Sequence, residues 1–176
     1  MNQISLRLEE VENGTILVID ANIFIYHFVG RSHSCRDLLK RCSSGLIRGI
    51  TPITVLHEVT HRLMISEAQE RGFIRGTRPA QQLAKNPEIV KKLHLYRVRT
   101  LAILAMKIGI APVSFRDVVR GLELSKSYGF LTLDSILLAI MERSGIHHIA
   151  SADKIFSSVE GITHFRPKDI QTAGKS

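Results

Sequence analysis

Tryptophan is absent, cysteine occurs twice, and aromatic residues make up only 6% of the 176 residues. Cys35 and Cys42 fall seven residues apart on a helix-like stretch. That places them about 10 Å apart, too far to bridge to each other. Two thiols without a framework of spacings exclude a disulfide scaffold, and with no signal-peptide pattern they lead to the expectation of a reducing, cytoplasmic setting. The longest apolar stretches are cut by Asp20 or Lys107, so none reaches the ~18 residues a membrane helix needs. Internal repeats and low-complexity tracts are lacking too, which leaves an ordinary globular composition, 44% hydrophobic and 23% charged. The length suits one domain with a core of useful size.

Acids are the scarcer charge, 16 Asp and Glu against 24 Lys and Arg, for a net charge of +8. The excess is localised. Residues 59–126 hold thirteen Lys and Arg against five Asp and Glu, whereas the remainder carries eleven of each. Within 71–99, Arg71, Arg75, Arg78, Lys85, Lys91, Lys92, Arg97 and Arg99 face only Glu88. A basic surface on an otherwise neutral chain suits a polyanionic partner such as nucleic acid. A solvated helical face is the plainer reading of the same residues.

Along the chain, strand-like and helix-like patterns alternate. We expect a strand at 15–20, helices at 21–29 and 33–43, a short strand in "LIRGI", and a helix at 53–70 started by Pro52 or Thr54. A turn-rich basic excursion at about 66–92 precedes a long helix at about 88–108. "IAPVSF" reads as a strand, with Ser114 capping a helix that ends at Gly129. The next helix has Thr132 as cap and Gly145 past its end. "IHHIAS", "ADKIFSSV" and "ITHF" read as strand, short helix and strand. This order predicts an α/β fold with a central, mostly parallel sheet covered on both faces, and ligands beyond the carboxyl ends of its strands. The predicted layout is an extension over 1–14, one domain over 15–170, and a tail over 171–176.

Four acids occupy positions where an acid is costly. Asp20 ends an apolar strand, Asp153 follows another, Asp134 opens a mostly apolar helix, and Glu58 lies in "ITVLHEV". Singly, each has a local explanation as a helix cap, a turn residue or an i,i+4 partner of Arg62. Jointly, the topology predicts three of them at one edge of one sheet. Crowded carboxylates repel and raise one another's pKa unless a cation is present. A cluster of oxygen ligands is what Mg²⁺ or Mn²⁺ requires.

The segments "VIDANIFIY", "ITPITVLHEV", "LTLDSILLAI" and "IASADKIF", in this order and spacing, resemble the four signature segments of PIN-domain nucleases over about Thr15 to Arg166. The resemblance implies a Rossmann-like three-layer α/β/α sandwich that cleaves RNA with Mg²⁺ or Mn²⁺, leaving 5′-phosphate and 3′-hydroxyl ends. Many members are VapC-type toxins of toxin–antitoxin pairs. It further implies metal binding by Asp20, Glu58, Asp134 and Asp153, supporting roles for Asn22 and Ser151, structured RNA such as tRNA as substrate, an antitoxin protein as partner, and a homodimer. Arg71, Arg75, Arg78, Lys85, Lys91 and Lys92 would then grip the phosphate backbone. Ser135 departs from the small apolar residue common in the family, and the 66–92 segment is longer than in compact toxin members.

Two rivals stand beside this reading. "HEVTH", residues 57–61, satisfies the H-E-x-x-H pattern in which His57 and His61 would bind zinc and Glu58 act as base. It lacks the G-x-x-H continuation, since Met64 and Glu67 stand there. The second rival is a non-catalytic RNA-binding module with the same fold.

Overall fold

The computed structural model describes residues 5–171. Its centre is a six-stranded, fully parallel sheet in the order β1-β6-β5-β2-β3-β4. The strands are β1 (Leu6–Arg7), β2 (Ile16–Ile19), β3 (Arg48–Pro52), β4 (Gly109–Ala111), β5 (His148–Ala150) and β6 (Thr163–Arg166). Eight α-helices connect them among the described residues: α1 (Ala21–Phe28), α2 (His33–Ser43), α3 (Ile53–Glu70), α4 (Pro79–Lys85), α5 (Pro87–Lys92), α6 (Leu95–Ala105), α7 (Phe115–Tyr128) and α8 (Thr132–Ser144). The result is the expected three-layer α/β/α arrangement. Among the described residues, no single helix is long and apolar enough to cross a membrane.

Leu17, Val18 and Ile19 of β2 are wholly buried, as a strand covered on both faces must be. In α8 every residue from Ser135 to Met141 is buried. Helix α7 crosses α8 at Gly121, where a Cβ would come within 3.2 Å of the Ile136 backbone nitrogen. Ser114 and Asp117 form a capping box at the start of α7. Asp117 also accepts a hydrogen bond from Arg143 Nε at 2.7 Å, tying α7 to α8.

Several elements differ from the sequence reading. Residues read as an N-terminal extension contribute β1, which pairs with β6 at the sheet edge. Met1–Ile4 and residues 172–176 of the expected tail lie outside the described residues. Thr132 is the first residue of α8 rather than its cap, which is Leu131. The strand expected at 110–115 is shorter, Gly109–Ala111.

The long helix expected at 88–108 is two helices, and the reason is a distant acid. Glu67 of α3 is 1% exposed and accepts the backbone N–H groups of His94 at 3.0 Å and Tyr96 at 2.8 Å. Its carboxylate therefore satisfies the N-terminus of α6, for which no local side chain does so. Burial pushes the Glu67 pKa up, but the amides of His94, Tyr96 and Leu95 outweigh it and hold it below the usual range. Ala68, Ile74, Leu83 and Leu93 form a second small core under α4 and α5. The excursion is thus a packed lobe mounted on the C-terminal half of α3.

Candidate active site

After β2 the chain runs to β3 and β4 on one side of the sheet; β5 and β6 lie on the other. Such a reversal opens a crevice at the carboxyl ends of the strands. Asp20 and Ser151 follow directly on the paired residues Ile19 and Ala150 of β2 and β5. They are brought side by side by sheet register alone.

Asp20 caps α1 in extended backbone and is 7% exposed. Three donors answer its carboxylate. The Ala21 amide N–H donates to Oδ1 at 2.6 Å, and the Asn22 Nδ2 and Ser151 hydroxyl donate to Oδ2 at 2.5 and 2.6 Å. Burial is the largest influence on its pKa and pushes it up. The Ser151, Ala21 and Asn22 hydrogen bonds pull it down, and the charge of Glu58 adds to the rise, leaving it above the usual range.

Asn22 also accepts from the Ala152 amide at 2.8 Å. The Asp153 amide donates to Ser151 Oγ at 3.0 Å. Asp153 itself caps a short 3-10 turn, accepting from the Ile155 amide at 3.1 Å. One polar chain therefore joins the ends of β2 and β5.

Asp20, Asn22, Glu58, Asp134 and Asp153 line a single cleft of about 470 Å³, with Arg62, Leu131, Thr132 and Leu133 completing the wall. Glu58 faces it from α3 and pairs with Arg62 Nη1 at 3.2 Å. Asp134 faces it from the first turn of α8. Its carboxyl is pushed up to about 6, first by burial and then by the charges of Asp20, Asp153 and Glu58. The acids thus feel one another across the cleft. Hard oxygen donors of this kind fit a Mg²⁺- or Mn²⁺-sized cation in their chemistry. Among the described residues, no three His, Cys, Asp or Glu side chains are drawn close enough to form a ready-made coordination shell. The acids line an open cleft instead.

The basic residues singled out by sequence lie elsewhere. Arg71, Arg75, Arg78, Lys85, Lys91 and Lys92 are exposed on the α4–α5 lobe and its approach, and none lines the cleft. Arg71 is committed to that lobe, donating to the Lys92 carbonyl at 2.7 Å and lying over the Phe73 ring. Lys91 pairs with Glu88 at 2.6 Å. His57 and His61 are exposed on α3 and outside the cleft lining, with no third ligand among the described residues.

Sequence reasoning missed the groups that hold the β5 end of the cleft. His164 is buried on β6, where Nε2–H donates to the Ser151 carbonyl at 2.9 Å and Nδ1 meets the Ser157 hydroxyl at 2.8 Å. Arg166 donates to the Ala152 carbonyl from Nε and Nη2 at 3.2 and 3.1 Å. Both belong to the short last strand, and nothing local in its four residues marks their long-range partners. Arg62 appeared in the sequence only as an ion-pair partner, yet among the described residues it is the one cation in the cleft wall.

Comparison with solved structures returns the same architecture. A toxin–antitoxin complex from Klebsiella pneumoniae aligns over 84% of this chain and 95% of its own, at 18% identity and a TM-score of 0.54. VapBC2 from Rickettsia felis, bound to a DNA fragment from its promoter, aligns over 88% and 100%, at 12% identity and 0.54. The sarcin-ricin loop cleaving toxin VapC20 of Mycobacterium tuberculosis aligns over 85% and 99%, at 14% identity and 0.55. At these identities the likeness is one of fold. Among curated proteins nothing matches the chain. The PIN domain family model matches residues 17–162, which include all four cleft acids. The chain belongs to the PIN domain family.

Proposed function

We propose that the protein is a metal-dependent endoribonuclease in which Asp20, Glu58, Asp134 and Asp153 hold Mg²⁺ or Mn²⁺ against a phosphodiester of RNA. One observation carries this reading: four acids from four separate chain segments line one cleft, where burial first, and then the charges of Asp20, Asp153 and Glu58, lift the Asp134 pKa to about 6. When bound, such an ion would supply charge stabilisation at the phosphoryl oxygens and water of lowered pKa.

The chain's own residues supply position. Asp20 is held in one orientation by Ala21, Asn22 and Ser151, and Asp153 is fixed by its amide contact to Ser151 and its own cap. Glu58 is steadied by Arg62, whose charge also lies where a phosphate would enter. Leu131 and Leu133 flank the cleft as exposed apolar residues. No thiol takes part. Burial pushes Cys35 up to about 12 and Cys42 up to about 11, and both lie in the core.

The six basic residues of the lobe grip the RNA backbone away from the chemistry, and the substrate is a structured RNA such as tRNA. The VapBC neighbours support a toxin that pairs with an antitoxin protein, and the cytoplasm is its proposed setting. Exposed apolar residues at helical spacing, Phe115, Val119 and Leu122 on α7 and Val98, Leu101 and Leu104 on α6, support a homodimer.

The test is cleavage of RNA by purified protein with Mg²⁺, with Mn²⁺ and with EDTA. Cleavage is expected only with metal, and Asp20→Asn and Asp153→Asn each lower it at least a hundredfold while circular dichroism stays native. Cleavage that survives EDTA, or either substitution, overturns the reading.

A further inference from the structure

A second cavity adjoins the acidic cleft and carries the opposite charge. It measures about 310 Å³ and lies between the C-terminal end of α1 and the outer half of α3. Ile25, Val29 and Ile65 form its apolar walls, and Arg31, Arg62 and Gln69 its polar ones; among the described residues no carboxylate lines it. The two cavities share one residue, Arg62. Glu58, Arg62, Ile65 and Gln69 follow one face of α3 at helical spacing, so cleft and cavity are successive stations along one helix. Glu58 and Arg62 are separated by about 6 Å of helix rise, a distance one nucleotide covers.

We propose that this cavity is a subsite for one unpaired nucleotide of the RNA, adjacent to the phosphate being cut, with Arg31 and Arg62 holding its phosphate. The proposal rests on the nuclease reading above and adds to it where the strand lies and in what state.

The chemistry of the walls selects the ligand. Arg62 offers five N–H donors and uses one on Glu58 in a partly exposed ion pair, a weak commitment. Arg31 is in no ion pair among the described residues. Its backbone is anchored, however, with its N–H donating to the Tyr26 carbonyl at 2.8 Å and its carbonyl accepting from Gln171 at 2.9 Å. Two guanidiniums facing one space suit a phosphate, which takes paired N–H donors well. The apolar wall suits the face of a base or ribose. The Gln69 amide offers both a donor and an acceptor to a base edge. A volume near the lower end of ligand pockets, about 300–1,000 Å³, suits one nucleotide better than a base pair. A strand that is single at this point, as in the loop of a structured RNA, is the ligand that fits.

The experiment measures fluorescence anisotropy of a labelled single-stranded oligoribonucleotide in EDTA, where the proposed chemistry is silent, and of the same strand annealed to its complement. Arg31→Ala is expected to weaken single-strand binding at least tenfold. It should also lower the slope of log affinity against log salt by about one contact. Arg48→Ala, at the opposite end of β3, serves as the control charge and changes neither. The annealed duplex is expected to show no Arg31 dependence. Arg31 is exposed, so its loss leaves the fold intact, which a thermal melt verifies. Wild-type binding by Arg31→Ala, or an equal loss on duplex, overturns the subsite even if the wild type cleaves RNA with Mn²⁺. Expected binding losses beside a wild type that cleaves nothing with Mn²⁺ support the subsite and overturn the nuclease reading instead.

Discussion

Replacing Asp134 by asparagine removes one charge from a crowded cleft without changing the side chain's shape. Among the described residues, the groups that face Asp134 across the cleft are Asp20, Asp153 and Glu58, with Arg62 as the single cation. No hydrogen bond to its carboxylate is present among the described residues, so the substitution breaks none. An acid whose pKa rises on folding favours the native state when protonated. That contribution is full below the unfolded value of 3.8 and is lost as pH rises through about 6. At about 1.4 kcal/mol per pH unit, the rise corresponds to about 3 kcal/mol at most. Solvent reaching the half-buried carboxyl reduces this to about 1–2 kcal/mol. The N-terminal dipole of α8 favours the charge by about 0.3–1 kcal/mol and works in the opposite direction. Asp134→Asn should therefore stabilise the metal-free protein by about 1 kcal/mol at pH 7.5, a rise in Tm of about 2–4 °C. The gap should vanish near pH 4. Urea melts in EDTA at pH 4, 5, 6 and 7.5 measure it. A variant less stable than wild type at pH 7.5, or a gap that does not change with pH, refutes the electrostatic reasoning.

Two further substitutions test the scaffold. Glu67→Ala strips the N–H partners from the start of α6 and leaves them part-buried, so a loss of about 3 kcal/mol in urea melts is expected; a loss below about 0.5 kcal/mol would remove Glu67 from its anchoring role. Gly121→Ala gains about 1 kcal/mol of helix preference but forces the new methyl against the Ile136 backbone at about 1–3 kcal/mol. Net destabilisation of about 1 kcal/mol is expected by the same assay, and a stabilised variant would contradict the close crossing of α7 and α8.

What could be read from sequence was local. β2 announces itself as a short apolar run ending in Asp20, and α7 carries Ser114 and Gly129 at its two ends, as the structure has them. Helix α3 runs over Ile53–Glu70 as expected, with Pro52 as its cap position. The gathering of the four acids follows from topology, because Asp20 and Asp153 sit just beyond the adjacent parallel strands β2 and β5, while α3 and α8 carry Glu58 and Asp134 to the same cleft. What sequence could not supply was long-range. β1 is two residues long and gains its place only by pairing with β6. The break between α5 and α6 depends on Glu67, about a helix's length away in the chain, and the apolar periodicity runs on through Leu93 without a stop signal. The basic stretch reads as one surface, yet it folds over its own small core and leaves the cleft to Arg62. His164 and Arg166 support the Ser151–Asp153 turn through its carbonyls, contacts that no spacing encodes.

The central claim is that Asp20, Glu58, Asp134 and Asp153 act together as one cation site. Electron paramagnetic resonance of free Mn²⁺ titrated with the protein tests it without reference to any RNA. Saturable binding by the wild type, abolished by Asp20→Asn and by Asp153→Asn alike in variants with native circular dichroism, is the result expected. Undiminished Mn²⁺ binding in both variants, or none in the wild type, would contradict it.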